Sequence, residues 1–462
     1  MNKAYISRFT LVLFIAGAID SIRNLPTTAL FGSSLVMYYC FAAITFLIPI
    51  ALLSAELAAT RIGNGIYEWI KSAFGPKMGF LAIWLQWINT MVWFPTILSF
   101  IAGTASYFIN PALATDKGFL LTLILLTFWG LTLLNLRGIH LSTRAASWMA
   151  LLGMVFPLSL ILLAGVWWLL SHQSSHIELS LSAFFPFGQQ HGAFSSLTAI
   201  IAGFLGIELA SVHINHLKNP AADYAKSLAI AVPFILITMA FGALTVAMVL
   251  AQKDINIVNG VIEAFDNFLA VYHLRFLLPI VGLMILIGSI GGMISWVISP
   301  AKGLLQASQD GFLPPFFCKT NPHHAPNRVL LGQAILVSLI SGAFLLFPSV
   351  NGGYWLLTAL STELYLLMYV MLLAAAVYLK WKKPQETRSF QLGKGISGTL
   401  LVALLGFIGC GIALIIGVIP PSDIAVGNPV RYTMIFLSGL VGFIVPVFLF
   451  YRLHRKQRNS AT

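Results

Sequence analysis

The chain has 462 residues, 58% of them hydrophobic and only 9% charged, with a mean hydropathy of +0.90. Soluble domains carry about 25% charged residues, so the composition excludes a soluble globule and predicts an all-α integral membrane protein. The net charge of +12 implies no nucleic-acid partner, because the basic residues gather in alternate loops as a topology signal.

Apolar runs near the ~20 residues needed to cross a bilayer recur at 8–31, 34–55, 78–107, 119–136, 145–170, 193–213, 226–251, 275–300, 328–347, 353–379, 396–419 and 431–451. These twelve segments predict one polytopic domain over 1–462. With the N-terminus inside, 21 of the 26 basic residues fall on the inner side. The outer loops hold Lys117, Lys253, Arg275 and Arg431, and Arg23 lies within a segment. Both termini are therefore expected in the cytoplasm, and the absence of any Asn-x-Ser/Thr sequon is consistent with a bacterial inner membrane, where the protein is expected. The tail Arg452-Leu453-His454-Arg455-Lys456 suits anionic lipid headgroups.

Segment one is long and carries Asp20 and Arg23, so it is expected to remain as a helix and not to be cleaved as a leader. An ionised side chain near the bilayer centre costs roughly 2.5–3.5 kcal/mol and is a candidate functional group by default. Asp20 and Arg23 are three apart and pair with each other if that stretch is helical. If it is unwound, Arg23 is free to meet a substrate carboxylate and Asp20 an ammonium.

Segment six has the same character, with Glu208 after Gly203-Phe204-Leu205-Gly206-Ile207. Segments one and six each open a block of five, and in each the charged stretch is followed by a proline, Pro26 and Pro220. An odd number of helices per block puts the second block into the membrane from the opposite side. The expected organisation is thus an inverted repeat, 8–170 and 193–379, with 396–451 supplying two more helices. Glu208 reads as a functional acid in preference to a structural one. His213 and His216 titrate near neutral pH, although solvated interfacial histidines are the simpler reading.

The stretch 254–273 spaces apolar residues at Ile257, Val261, Ile262, Phe265 and Phe268, as a short amphipathic helix on the outer face would. A passive cap is preferred there over a moving lid. Gly288, Gly291 and Gly292 in segment eight suit close helix packing. Cys40, Cys318 and Cys410 lack metal or disulfide spacing and read as packing residues. Tyr365 and Tyr369 share a face of segment ten, while Glu363 either titrates or bonds to a neighbouring helix. No His-Glu-x-x-His or Gly-x-Ser-x-Gly pattern occurs, so no enzyme is expected.

Phe204-Leu205-Gly206-Ile207-Glu208-Leu209-Ala210-Ser211, His213-Ile214-Asn215 and Asn219-Pro220 resemble an amino acid permease of the amino acid/polyamine/organocation superfamily. So do Ser295-Trp296-Val297-Ile298-Ser299-Pro300 and Tyr365-Leu366-Leu367-Met368-Tyr369, and the bacterial glutamate/GABA antiporters are the most similar subfamily. The resemblance implies a five-plus-five inverted-repeat (LeuT-like) fold with unwound centres in helices one and six. It implies substrate binding around Ala18, Ile19, Asp20, Ser21, Arg23, Phe204, Gly206, Ile207, Glu208, Trp296, Tyr365 and Tyr369. Proton coupling or gating falls to Glu208 and Glu363.

No metal or other cofactor is implied. The partners are an amino acid or amine, protons in a coupled mechanism and the bilayer; a homodimer is compatible. Three departures stand out: the Gly-Ser-Gly-like turn of helix one is missing, Gly292 replaces an acid of the antiporters, and segment five (145–170) lacks a lysine used by some relatives. The second weakens glutamate or GABA as substrate. Ending at Thr462, the sequence also shows no extended C-terminal plug, so strict acid gating is not expected. The leading expectation is an amino acid exchanger, with proton-coupled uptake as runner-up and a non-transporting membrane sensor as the reading of another class.

Overall fold

The computed structural model describes residues 7–19, 21–60, 65–138, 148–149, 151–186, 195–307, 311–323, 325–384, 388–421 and 424–461. Among these the chain is helical, and eleven helices are long and apolar enough to cross a membrane. Numbered by segment, they are α1 (Arg8–Ala29), α2 (Gly32–Ala58), α3 (Pro76–Ser106), α4 (Lys117–Leu136), α5 (Leu152–Leu170), α7 (Pro220–Val249), α8 (Leu278–Ala307), α9 (Asn327–Ser341), α10 (Val350–Lys382), α11 (Ser397–Ile416) and α12 (Pro429–Ala461).

Eleven of the twelve predicted segments form such helices among the described residues, and segment six is divided, as the expected unwound centre would divide it. There α6 (Ser195–Phe204) gives way to a 3-10 stretch over Ile207–His216, leaving no continuous α-helix of spanning length. The cause is local. Gly206 has φ +101°, a conformation open to glycine at little cost and strained for other residues. Such 3-10 runs rarely exceed 3–4 residues, and a long one within a helix marks a hinge or strain.

α1 is interrupted as well. Its first half ends at Ile19, Ser21 is extended (φ −125°, ψ 115°), and a 3-10 turn over Ile22–Asn24 leads into Leu25–Ala29. Pro26 near the start of that second half supplies a fixed φ where no helical N–H bond is lost. The two interruptions adjoin: a Cβ on Gly203 would lie 3.5 Å from the Asn24 side-chain nitrogen.

Around this centre α3 and α10 form the buried core of the bundle, whereas α12 is almost wholly peripheral. Apolar side chains left exposed, such as Leu126, Leu339 and Ile415, cover the surface that a bilayer would meet. Gly153 and Gly288 bring α5 and α8 into backbone contact, and Met149 covers Gly291. A Cβ on Gly292 would meet nothing within 4 Å, so packing does not explain that glycine. Cys410 alone is buried; Cys40 and Cys318 are exposed, which corrects their reading as packing residues.

Lys380, one residue beyond the predicted segment 353–379 and so counted among the inner-side charges, is buried. It pairs with Glu56 at 2.7 Å, and Glu56 also accepts from Thr399 Oγ1 at 2.7 Å and, at 3.3 Å, from the Leu392 amide. This network ties α2, α10 and α11 together, and its extra hydrogen bonds offset the desolvation that makes buried ion pairs costly.

The amphipathic stretch forms a helix over Gly260–Val271, and Ile257, Val261, Ile262, Phe265 and Phe268 are all buried. Gly260 lies against Pro26 of α1 and Val258 against Gly103 of α3. The Ile257 amide donates to Asn351 Oδ1 at 3.1 Å, so the segment is seated on the second half of α1 and on both core helices.

Candidate functional site

Glu208 follows the Gly206 interruption by two residues and is 1% exposed. Its carboxylate accepts from the Tyr365 hydroxyl at 2.8 Å and from the Tyr369 hydroxyl. The Tyr369 oxygen in turn accepts the Gly206 amide at 2.8 Å, one of the N–H groups that the broken helix leaves without an intrahelical partner. Tyr365 accepts from Gln86 Nε2 at 3.2 Å, while the approach of that amide to Glu208 Oε1 is long, at 3.5 Å. The two tyrosine rings meet edge-on at 5.1 Å, and Phe46 closes the other side of Tyr369 at 5.3 Å. Their spacing of four puts them on one face of α10, so a single helix face closes over the acid.

Arg23 lies on the other side of the interruptions. It is buried at 7% exposed, and its Nη1 donates to Thr96 Oγ1 at 2.8 Å, with Tyr354 OH more distant at 3.5 Å. The guanidinium sits over the Trp93 ring at 4.7 Å, and Trp93 meets Trp296 of α8 at 5.4 Å. Nε has no hydrogen-bond partner, and Arg23 makes no ion pair among the described residues. Gln86 to Thr96 on α3 and Tyr354 to Tyr365 on α10 are ten and eleven residues apart, so the cation and the acid are separated by roughly 15 Å of helical rise.

The sequence-predicted site residues therefore divide into groups. Glu208, Gly206, Tyr365 and Tyr369 converge directly, and Arg23 and Trp296 join through Trp93. Ile19, Phe204 and Ile207 are buried at the two interruptions, with Phe204 edge-on to Tyr39 at 5.7 Å, and Ser21 is half-buried. Asp20 and the side chains of Ala18, His213 and His216 lie outside the described residues. Glu363 does not join this site: it contacts α11 instead, where a Cβ on Gly417 would collide with its Oε1. Sequence reasoning missed Gln86, Trp93, Thr96 and Tyr354. Gln86, one of two amides with Asn89 in an apolar stretch of α3, was the one with a visible signal.

A family model described as amino acid permease matches residues 6–441, nearly the whole chain. The chain belongs to the amino acid permease family. A glutamate/gamma-aminobutyrate antiporter of Lactococcus lactis subsp. lactis is 31% identical over 467 residues, covering 100% of this chain and 93% of the relative. An uncharacterized transporter of Legionella pneumophila is 36% identical over 460 residues, covering 99% of each chain. Among solved structures, a manganese transporter of Eremococcus coleocola is similar at a TM-score of 0.60 and 13% identity, over 98% of this chain and 96% of that one. That likeness shows a shared transporter fold. As an amino acid permease with eleven helices among the described residues long and apolar enough to cross a membrane, the protein is a multi-pass membrane protein of a transporter family.

Proposed function

We propose that this permease is a secondary active transporter that exchanges an amino acid for another amino acid, or for its decarboxylated amine, by alternating access. The observation that carries the reading is the Glu208 carboxylate, buried at the break in segment six and held by Tyr365 and Tyr369 of α10. An acid closed over in this way is a gate that an incoming ammonium group can compete for, and Arg23 supplies a buried cation for a carboxylate. The proposed site comprises the interruptions at Ile19–Arg23 and Phe204–Glu208 with Trp296, Tyr365 and Tyr369.

The proposed frame is two inverted five-helix units, 8–170 and 193–379, followed by 396–451, in a bacterial inner membrane with both termini cytoplasmic. The asymmetry of Lys and Arg supports that orientation. The relative named as a glutamate/gamma-aminobutyrate antiporter supports exchange. Proton-coupled uptake is the second reading, favoured by one observation: neither carboxylate oxygen of Glu363 has a hydrogen-bond partner.

Proteoliposomes separate the two. Vesicles loaded with each unlabelled amino acid or amine in turn are tested for entry of labelled compounds. Exchange requires substrate inside, whereas symport proceeds into empty vesicles when a pH gradient is imposed. Silence across the panel under both gradients would overturn transport itself.

A further inference from the structure

Glu363 lies two residues before Tyr365 on α10, and at 3.6 residues per turn it points to the opposite side of the helix from the Glu208 cluster. It is 1% exposed, and both carboxylate oxygens are buried without a hydrogen-bond partner. The carboxyl group rests against the backbone of Gly417 at the end of α11, in the space a side chain there would fill. Tyr432 of α12 and Cys410 of α11 lie within electrostatic reach of it.

Tyr432 OH and the indole N–H of Trp355 are further buried polar groups at this junction. The two groups are close neighbours of each other. Trp355 precedes Glu363 by eight residues, roughly 12 Å along α10. Buried polar atoms thus mark the junction of α10, α11 and α12 from Trp355 to Glu363, and the Glu363 oxygens are without a hydrogen-bond partner. Cys410 and Tyr432 are the titratable groups brought near Glu363 by those helices, and no Lys, Arg or His pairs with it among the described residues.

An ionised carboxylate without partners in an apolar interior carries a large desolvation penalty, which a bound proton removes. We infer that Glu363 is a reversible proton-binding site at the contact of α10 with the end of α11, separate from the Glu208 substrate site. It extends the proton-coupled reading of the transporter but does not depend on any particular substrate.

Infrared difference spectroscopy of the full chain in liposomes tests this without substrate. Between acid and alkaline buffer, the wild-type protein should show a carboxylic acid C=O band that titrates. Glu363→Gln should lose that band, and Glu208→Gln should keep it. Gly417→Ala, compatible with the helical backbone there, retains the acid but crowds it, and should shift the band. A wild-type spectrum without such a band, or one unchanged in Glu363→Gln, would overturn the assignment. A band that sodium chloride removes at constant pH while choline chloride does not would make this a sodium site instead. Because no transport is measured, this test and the proteoliposome panel can fail independently.

Discussion

Tyr369 is the most heavily used side chain of the central site, because one hydroxyl both donates to Glu208 and accepts the Gly206 amide. A hydrogen bond to a charged group is worth about 1.5–3 kcal/mol. Tyr369→Phe is therefore predicted to slow transport by roughly 10- to 100-fold, read as initial uptake rate by reconstituted protein. Tyr365→Phe should cost less, since Gln86 Nε2 already faces the same Glu208 oxygen.

Only part of this constellation was legible in the sequence. Glu208 stood out as a charge in an apolar run, and the tyrosines stood out through the family resemblance. Arg23 was legible as a charge, but not its surroundings: Tyr354 is 331 positions away and Thr96 is 73. A single hydroxyl or indole in an apolar helix has no periodic signature of its own.

At the scale of elements, the interruption of segment six depends on Gly206. Its φ of +101° is strained for any side chain, and an added Cβ would lie 3.0 Å from Leu209 Cδ1. Gly206→Ala is predicted to destabilise the protein by about 1–3 kcal/mol. The readout is a lowered thermal unfolding midpoint in detergent, together with a transport defect.

The helix Gly260–Val271 has its own pH dependence. Burial pushes the Glu263 carboxyl from its ordinary 4.5 up to about 7, opposed by hydrogen bonds from the Asn256 backbone and Asn259 and reinforced by Asp254 and Asp266. The docked helix thus binds the proton more tightly than the undocked one. Its docking is strongest below about pH 4.5 and weakens as pH rises through about 7. Hydrogen exchange of its amides should accelerate between pH 5 and pH 8 beyond the intrinsic chemical rate, and Glu263→Gln should abolish that excess. The amphipathic spacing made this helix legible, but its seat on Pro26 and Gly103 was not, because glycine-mediated contact leaves no hydropathy pattern.

At the scale of the whole molecule, the membrane fold was the most legible feature, since a bilayer demands long apolar runs and sorts basic residues by side. What hydropathy alone did not carry has physical causes. Segment six has the composition of a spanning helix, but positive-φ backbone and a 3-10 run divide it. Lys380 lies one residue beyond a predicted segment, but Glu56, 324 positions earlier, draws it into the interior.

What unites the scales is a bundle whose two broken helices adjoin, with the acid of one held shut by the core helix α10. The most direct test is counterflow in proteoliposomes by Glu208→Gln beside wild type, using a substrate that the wild-type protein exchanges. The account predicts that the variant loses most of its exchange and alters the pH dependence of what remains. Full exchange with an unchanged pH profile would contradict it.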